Sequence, residues 1–329
     1  MLFLLPALLA LSAVDAAGIT DVVIFGDSFS DQSRLYSLIN GTYPGKNYQS
    51  VYPPDAIAGD GGFQWPYYLG LYGNYTIWNY AVGGAVCSEA LTPLDGIPDV
   101  TSGQPAWFIE DHMVSDNKTG EQTLLLDPDS FTVIVFIGTN DVGMSSFISN
   151  DQLANVSLPD IADCQLNAIR NMHSLGARHF ILNALTPLHL TKLYSNSSEP
   201  TFYWPKEHDG EAWNKGMYNI VHSVNRILSD GVKVLNAEWQ GDGEVEWFDT
   251  YALFEEFYYN PTPYFNGSIP ADTNEPCHQC PVDSSQACVD CPLEERDSHM
   301  LWDDLHPGEQ TGRNLAMEMH KKIGGQSAY

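Results

Sequence analysis

The chain has 329 residues, of which 43% are hydrophobic, and this is enough for one large α/β domain or two smaller ones. Asp and Glu number 42 against 14 Lys and Arg, and the net charge of -28 repels phosphate backbones and anionic lipid surfaces. We therefore expect no nucleic-acid partner and no membrane association, and we interpret the acidity as a solvated surface that keeps an extracellular protein soluble.

The amino-terminal segment predicts secretion. Residues 1–13 are almost wholly apolar and lead into Val14-Asp15-Ala16, where the small residue suits a signal-peptidase cut before Ala17. A buried helix is the alternative, but it leaves the polar and small residues that follow unexplained. The pattern predicts a signal peptide over residues 1–16. Six Asn-x-Ser/Thr sequons, which a secretory chain can glycosylate, support this: Asn40, Asn74, Asn117, Asn155, Asn196 and Asn266.

Short β-branched and aromatic runs alternate with helical patterns along the rest of the chain. The predicted strands cover residues 21–25, 75–80, 131–137, 179–183 and 232–236. Apolar spacing predicts helices over residues 161–175, 217–228 and 309–323, the first ended by Gly176 and the second capped by Gly231. The alternation predicts an α/β fold, a three-layer α/β/α sandwich with a central parallel sheet of about five strands.

The chain shows no sign of division into domains. It contains no repeat of fixed period and no Gly/Ser or Pro linker, so residues 17–329 are predicted to form a single domain. Three stretches rich in Pro, Gly, Asn, Tyr and Trp do not fit the strand and helix patterns, about 40–64, 185–212 and 240–300. We expect them to be loops that leave strand ends, where α/β proteins build their sites.

Six cysteines in an oxidising compartment indicate disulfides. Four of them form two Cys-x-x-Cys pairs, a pattern that suggests zinc in a cytosolic chain. The intervening residues 281–287 are fewer than the ~15 to 20 of a zinc ribbon, so disulfides are favoured. Six cysteines permit 15 pairings. The favoured set is nested within the loop and leaves one long-range bridge: Cys277–Cys291, Cys280–Cys288 and Cys87–Cys164.

Polar residues with catalytic potential follow the predicted strands. A serine nucleophile needs a base, a group that orients the base, and donors for the oxyanion. Ser28 lies just past the first strand, although a helix-capping turn is the alternative there. A Gly-Gly pair follows the second strand, and Asn140 follows the third. Near the carboxyl terminus, Asp303 precedes His306 by three residues, close enough for the carboxylate to orient the ring.

These segments, taken in order, resemble the sequence blocks of the SGNH (GDSL) hydrolases. The matching runs are Gly26-Asp27-Ser28-Phe29-Ser30, Gly84, Gly138-Thr139-Asn140-Asp141 and Asp303 to His306. The resemblance implies the SGNH fold, with Ser28 as nucleophile, His306 as base and Asp303 as its orienter. It also implies an oxyanion hole formed by Ser28, Gly84 and Asn140. Gly83 and Asp304 are the alternatives to Gly84 and Asp303.

Residues 25–35, with the Tyr- and Pro-rich stretch after them, look like the fungal acetylesterases of carbohydrate esterase family 16, while residues 79–85 also resemble GDSL lipases. The resemblance implies a secreted, monomeric serine esterase that acts on short acyl esters, especially acetyl groups on plant cell-wall oligosaccharides. It implies no cofactor and no metal.

Two other functions stay open. A lipase or phospholipase needs a contiguous apolar groove, whereas the predicted loops are polar and rich in Gly and Pro. A non-catalytic carbohydrate-binding protein on the same scaffold would have lost a catalytic residue, and none is missing. Aromatic residues that could stack on sugars are Trp65, Tyr67, Tyr68, Trp204 and Trp302.

Overall fold

The computed structural model describes residues 18–40, 58–94, 96–120, 122–283 and 285–329. The predicted signal peptide lies outside these ranges, and it stays a prediction, as does the single domain. None of the helices within these ranges combines the length and apolar character needed to cross a membrane.

A sheet of five parallel strands forms the centre of the fold, and we number its strands in chain order. They are β1 (Asp21–Gly26), β2 (Thr76–Asn79), β3 (Phe131–Phe136), β4 (His179–Asn183) and β5 (Glu244–Phe248). Their spatial order is β2-β1-β3-β4-β5. In register, Val22 of β1 lies between Ile77 of β2 and Thr132 of β3.

Eight α-helices surround the sheet in the part of the chain that is described. They are α1 (Arg34–Ile39), α2 (Trp65–Gly73), α3 (Gly103–His112), α4 (Thr139–Val142), α5 (Leu158–Ser174), α6 (Gly210–Trp239), α7 (Thr250–Tyr259) and α8 (Glu309–Ile323). α2 packs against α8, and α5 packs against α6. Every residue of β3 is buried, as expected for a strand covered on both faces. The predicted α/β sandwich is confirmed.

Among the described residues, four shorter strands and two 3-10 helices lie outside this framework. Met113–Ser115 pairs with Gln122–Leu124, and His278–Gln279 pairs with Val289–Asp290, both antiparallel. The 3-10 helices are Leu188–Leu190 and Leu293–Ser298. The 278–290 pair lies inside the Cys-rich loop, which is therefore a small hairpin.

The predicted strand over residues 232–236 is wrong, because these residues continue α6. Gly231 does not cap the helix: a Cβ there would lie 2.3 Å from the Leu166 side chain, so this glycine permits close packing of α6 on α5. Leu228, Val232 and Leu235 keep the buried stripe at helical spacing. The fifth strand is Glu244–Phe248 instead, an edge strand whose charged residues conceal its pattern.

The predicted loops are also partly wrong. The stretch 240–300 contains β5 and α7, and α6 begins at Gly210, before the end of the stretch 185–212. Most of the stretch 40–64 lies outside the described residues. The predictions for β4 and α8 are confirmed to the residue, and Gly176 follows α5 with φ +110°, a backbone conformation that favours glycine.

Candidate active site

The path of the chain across the sheet opens a crevice between β1 and β3. The chain leaves β1 for β2 on one side and returns to β3 on the other side of β1. In open α/β sheets, ligands bind at such a point, beyond the carboxyl ends of the two strands. Ser28 follows β1 and Asn140 follows β3, so two of the predicted site residues meet here.

Ser28 lies in a turn that the end of β1 holds firmly. The Gly26 N–H donates to Gln104 Oε1 at 3.0 Å, and Gln104 Nε2 donates back to the Gly26 carbonyl at 2.9 Å. A Cβ at Gly26 would lie 2.6 Å from the Phe136 carbonyl oxygen, so the close approach of β1 to β3 requires glycine. The turn leaves the Ser28 side chain in the crevice.

Ser28, His306 and Asp303 form one continuous hydrogen-bonded chain. Ser28 Oγ is 2.8 Å from His306 Nε2, and His306 Nδ1 is 2.9 Å from Asp303 Oδ2 and 3.1 Å from Asp303 Oδ1. An imidazole in this position can take the hydroxyl proton, and a carboxylate behind it orients the ring and stabilises the imidazolium. The structure thus brings together three residues that the sequence separates by up to 278 positions.

The two neighbouring aspartates have different partners. Asp303 Oδ1 also accepts from the backbone N–H groups of Leu305 and His306, at 2.8 and 2.7 Å. The Asp304 carboxylate accepts instead from the backbone N–H of Phe202, at 3.1 Å. Asp303 is therefore the residue that meets the histidine ring, and the alternative, Asp304, fastens a different segment.

Asp303 and His306 lie on a short hairpin, residues 301–307, which we call the histidine hairpin. The Trp302 N–H donates to the His306 carbonyl at 2.8 Å, and Leu301 forms an antiparallel bridge with Pro307. The hairpin leads directly into α8, whose residues Leu315 and Met319 are buried in the core. The carboxyl-terminal end of the hairpin is thereby fixed to the core of the protein.

The outer strand of the histidine hairpin is held by the Cys-rich loop, residues 277–291, which we call the stapled loop. The Cys277 N–H donates to the Leu301 carbonyl at 3.1 Å, and the His278 N–H donates to the Trp302 carbonyl at 2.6 Å. The His278 and Trp302 rings stack with centroids 4.9 Å apart. The stapled loop therefore supports the segment immediately before Asp303.

All six cysteines form the favoured pairs. The bridges are Cys277–Cys291, Cys280–Cys288 and Cys87–Cys164. His278, Cys280 and Cys288 lie close enough to hold a metal ion, but the two sulfurs are bonded to each other. The disulfide interpretation is confirmed over the zinc alternative. The six predicted glycosylation acceptors are all exposed, and their modification stays a prediction.

Among the glycines after β2, Gly84 has the available amide. Gly84 has φ +80°, in the left-handed region that favours glycine. The Gly83 N–H donates to Asp31 Oδ2 at 2.8 Å, whereas no acceptor within the described ranges takes the Gly84 N–H. Gly84 therefore fits an oxyanion donor better than its alternative, Gly83.

The segment after β3 is fastened to the Gly84 segment. Asn140 Nδ2 donates one of its two protons to the Ala85 carbonyl at 2.8 Å, and Asn140 lines the crevice with Ser28 and Gly84. Both Asp141 carboxylate oxygens accept from the Cys87 N–H, at 3.1 and 3.0 Å. These bonds fix the Asn140 amide, and among the described residues no acceptor takes its second N–H, which is available to a ligand.

The crevice is a cleft of about 670 Å³ that contains Ser28, Gly84, Asn140 and His306. Apolar side chains form much of the remaining wall, namely Leu35, Tyr36, Ile39, Leu94, Met144 and Leu305. This apolar lining differs from the polar composition of the predicted loops, and its residues come from several short segments of the chain.

The aromatic residues predicted to stack on sugars do not line the cleft. Trp65 is completely buried, and its indole N–H donates to Ser30 Oγ at 3.1 Å, so its prediction as an exposed platform is wrong. Trp302 stacks on the stapled loop, and the others lie elsewhere. Tyr194 and Tyr203 line the cleft instead. No spacing or motif in the sequence distinguishes them from the other 15 tyrosines.

The electrostatic surroundings favour a protonatable His306 and an ionised Asp303. Burial alone would lower the pKa of His306, but the Asp303 charge and hydrogen bond raise it above its ordinary value. Burial alone would raise the pKa of Asp303, but the His306 charge and the hydrogen bonds from His306 and Tyr203 lower it to about 2. Asp303 therefore stays ionised in the range where the ring titrates.

Two more buried carboxyls face the ring. Burial raises the pKa of Asp27, the residue before Ser28, to about 7, and it does the same for Asp60 in the loop before α2. One oxygen of each carboxyl has no hydrogen-bond partner within the described part of the chain. The sequence motif contains Asp27, but nothing in the pattern pointed to Asp60.

Comparison with known proteins identifies a matching family, related sequences and similar solved structures. The model of the GDSL-like lipase/acylhydrolase family matches residues 22–319. The chain is 26% identical to an acetylesterase from Hypocrea jecorina, over 94% of this chain and 90% of that protein. It is 21% identical to a thermolabile hemolysin from Vibrio parahaemolyticus, over 97% of this chain and 67% of that protein. The solved structure of Axe2, an acetylxylan esterase from Geobacillus stearothermophilus, aligns at 15% identity with a TM-score of 0.46. The alignment covers 94% of this chain and 95% of that protein.

Proposed function

This chain belongs to the GDSL-like lipase/acylhydrolase family and is a carboxylic ester hydrolase, and we propose a more specific function for it. We propose that it is a secreted serine esterase specific for short acyl esters, chiefly acetyl esters. The observation that carries the proposal is the chain of contacts from Ser28 Oγ through His306 to Asp303, at 2.8 and 2.9 Å. Serine, imidazole and carboxylate in that sequence form a catalytic triad.

In the proposed reaction, Ser28 Oγ attacks the ester carbonyl while His306 Nε2 takes its proton. The imidazolium, stabilised by Asp303, then protonates the leaving alcohol as the carbonyl re-forms. A water molecule, deprotonated by the same ring, then attacks the acyl-serine, and the imidazolium returns that proton to Ser28 Oγ as the bond to the acyl group breaks and the acid leaves. These steps return each group to its starting protonation state.

The tetrahedral intermediate carries its charge on one oxygen, and we assign three donors to it. They are the backbone N–H groups of Ser28 and Gly84 and the free side-chain N–H of Asn140. The Ala85 carbonyl holds the Asn140 amide in place before substrate binds, at 2.8 Å. Donors fixed in advance need no rearrangement as the charge develops, which is why such groups stabilise the transition state more than the neutral ester.

The similarity to the Hypocrea acetylesterase over most of both chains supports acetyl esters as the substrate class. For the alcohol part, we propose acetylated oligosaccharides of the plant cell wall, with Tyr203 as an aromatic surface of the cleft. Secretion is supported by the three disulfides, which form and persist in oxidising compartments.

The second candidate is a lipase or phospholipase. The apolar wall formed by Leu35, Ile39, Leu94 and Met144 favours it, because such a surface can bury a longer acyl chain. The similarity to the Vibrio hemolysin is compatible with this activity. The apolar wall therefore favours longer acyl chains, whereas the similarity to an acetylesterase favours the acetyl group.

A panel of p-nitrophenyl acetate, butyrate and palmitate with acetylated xylo-oligosaccharides tests the proposal. We expect the highest kcat/KM on acetyl esters and release of acetate from the oligosaccharides. Ser28→Ala is the control, and we expect it to abolish turnover. A preference for palmitate would transfer the assignment to a lipase, and equal turnover by Ser28→Ala would overturn the serine mechanism. Sugar binding without turnover of any ester would identify a binding protein.

A further inference from the structure

Tyr203 contacts both partners of the Asp303–His306 pair. Its hydroxyl donates to Asp303 Oδ2 at 2.7 Å, the same oxygen that accepts from the histidine ring, and lies 3.2 Å from His306 Nδ1. The residue comes from the loop between β4 and α6, far from the histidine hairpin in sequence. The Tyr203 hydroxyl therefore contacts Asp303 and His306 although Tyr203 lies outside the sequence block that contains them.

The segment that carries Tyr203 is fixed to the same hairpin. The backbone N–H of Phe202 donates to Asp304 Oδ2 at 3.1 Å, and the N–H of Leu193 donates to the Asp304 carbonyl at 2.8 Å. The Thr201 N–H also donates to the Trp204 carbonyl at 3.0 Å, which closes a turn around Tyr203. Asp304 thus holds the segment that carries Tyr203, while Asp303 accepts a hydrogen bond from the Tyr203 hydroxyl.

The hydroxyl keeps its proton in this position. Burial raises the pKa of Tyr203 well above its ordinary value, and the Asp303 charge raises it further. A neutral phenol has one proton, and the shorter contact directs it to the carboxylate. A hydrogen bond to an ionised acceptor is about twice as strong as one between neutral groups, so the contact to Asp303 dominates over the longer one to the ring.

We propose that Tyr203 is a positioning residue for ester hydrolysis, whose hydroxyl fixes the Asp303 carboxylate and withdraws part of its charge from His306. The inference rests on the proposed function of the triad. The carboxylate oxygens are then fully occupied: Oδ1 accepts from two backbone N–H groups, and Oδ2 accepts from the tyrosine and the ring. Such a carboxylate cannot rotate away from the histidine without breaking several bonds.

The direction of the electrostatic effect follows from the shared oxygen. A donor on Asp303 Oδ2 disperses negative charge that would otherwise stabilise the imidazolium. Without the hydroxyl, that charge acts on the ring alone, so the pKa of His306 rises. The other titratable groups that face the pair are Asp27 from the end of β1, Asp60 from the loop before α2, and Asp304 beside it. The Tyr203 hydroxyl makes its hydrogen-bond contacts with Asp303 and His306 and with none of these three carboxyls.

Tyr203→Phe tests the proposal, because it removes the hydroxyl and keeps the ring. We expect the pKa of His306, followed by NMR of histidine labelled with ¹⁵N and assigned with His306→Gln, to rise by about 0.5 to 1 unit. On p-nitrophenyl acetate, the acid limb of kcat/KM should move upward by the same amount. At its pH optimum, kcat should fall roughly three- to tenfold with little change in KM.

Tyr194→Phe is the matched control, because it removes another cleft hydroxyl that accepts from the Met144 N–H and makes no hydrogen bond to Asp303 or His306. It should leave the pKa of His306 where it is. An unchanged His306 pKa in Tyr203→Phe overturns the proposal, even if the melting temperature falls, because a merely structural hydroxyl affects only stability. The NMR titration needs no turnover, so it distinguishes this failure from failure of the proposed esterase function.

Discussion

The site is assembled from two halves that are held by different means. The sheet-borne half consists of Ser28, Gly84 and Asn140, which follow buried parallel strands and are held by hydrogen bonds between side chains and the backbone at the strand ends. The loop-borne half consists of Asp303 and His306, with Tyr203 beside them. Asp303 and His306 lie on the histidine hairpin, which is supported by the stapled loop and by Tyr203, a residue distant in sequence. Core packing places Ser28, the proposed nucleophile, whereas disulfides and contacts between loops place His306, the proposed base.

Removing the base tests the loop-borne half most directly. His306→Ala should lower kcat by roughly 10⁴-fold or more, about 5.5 kcal/mol of transition-state stabilisation, because the Ser28 proton then has no acceptor. The measurement is steady-state kinetics on p-nitrophenyl acetate. Circular dichroism should show a folded protein, since the core does not depend on this side chain.

Asp304→Asn is the control for that variant. It alters the hairpin beside His306 while leaving Asp303 on the ring, so it should retain far more activity than His306→Ala. Comparable losses in both variants would mean that any disturbance of the hairpin abolishes turnover and that the triad assignment has no special support.

Asn140→Ala tests the sheet-borne half. Loss of one fixed oxyanion donor should lower kcat by roughly 10² to 10³, about 3 to 4 kcal/mol, with little change in KM. Asn140→Asp should be at least as harmful, because its carboxylate repels the oxyanion. If Asn140 only closes the turn after β3, the melting temperature will fall while kcat per folded molecule stays nearly intact.

The two halves should respond differently to loss of a crosslink. Replacing Cys277 and Cys291 with Ser opens a loop of 14 residues and should reduce the free energy of unfolding by about 3 kcal/mol in the chain-entropy model. Hydrogen exchange measured by mass spectrometry should accelerate over residues 299–307, because the stapled loop donates to that segment, while residues 21–28 change less.

Replacing Cys280 and Cys288 with Ser is the matched control, since that bridge closes a shorter loop farther from the hairpin. It should affect the hairpin less. Equal acceleration over both halves of the site would contradict the separation proposed here, and a melting temperature that responds to chelator but not to reductant would contradict the disulfide assignment.

The smallest effect concerns pH. His306 must be neutral to act as the base, so kcat/KM falls as pH drops through the pKa of the ring. Because that pKa is raised, the midpoint of the acid limb should lie above 6.5. Asp60→Asn removes a carboxyl that, in its ionised form, faces the ring and raises the pKa of His306, so this variant should lower the midpoint. A wild-type midpoint at or below 6.5 would contradict the electrostatic account.

The sheet-borne half was largely predictable because local pattern and site coincide there. The run of apolar residues that makes β3 ends at the turn carrying Asn140, and the same logic places Ser28 after β1. The edge strand β5 was missed because its two glutamates interrupt the apolar pattern, while the long buried stripe of α6 imitates a strand at residues 232–236. Gly231 looked like a helix end because close packing and capping select the same residue.

The loop-borne half was predictable only in part. The three-residue spacing fixed the relation of Asp303 to His306, but Tyr203 and Asp60 come from other segments, and their contacts depend on how loops fold back over the sheet. The apolar wall of the cleft escaped prediction for the same reason. Its residues come from several short segments whose compositions are unremarkable one at a time.

The 278 positions between Ser28 and His306 have a consequence for synthesis of the protein. At typical rates of roughly 5 to 20 residues per second, the ribosome makes the histidine roughly 15 to 60 seconds after the serine. Cys87 and Cys164 are both available well before then, so their bridge can form on a chain that still lacks its base. A growing chain therefore carries the proposed nucleophile before the proposed base has been made, so we expect no esterase activity until the last part of the chain has folded.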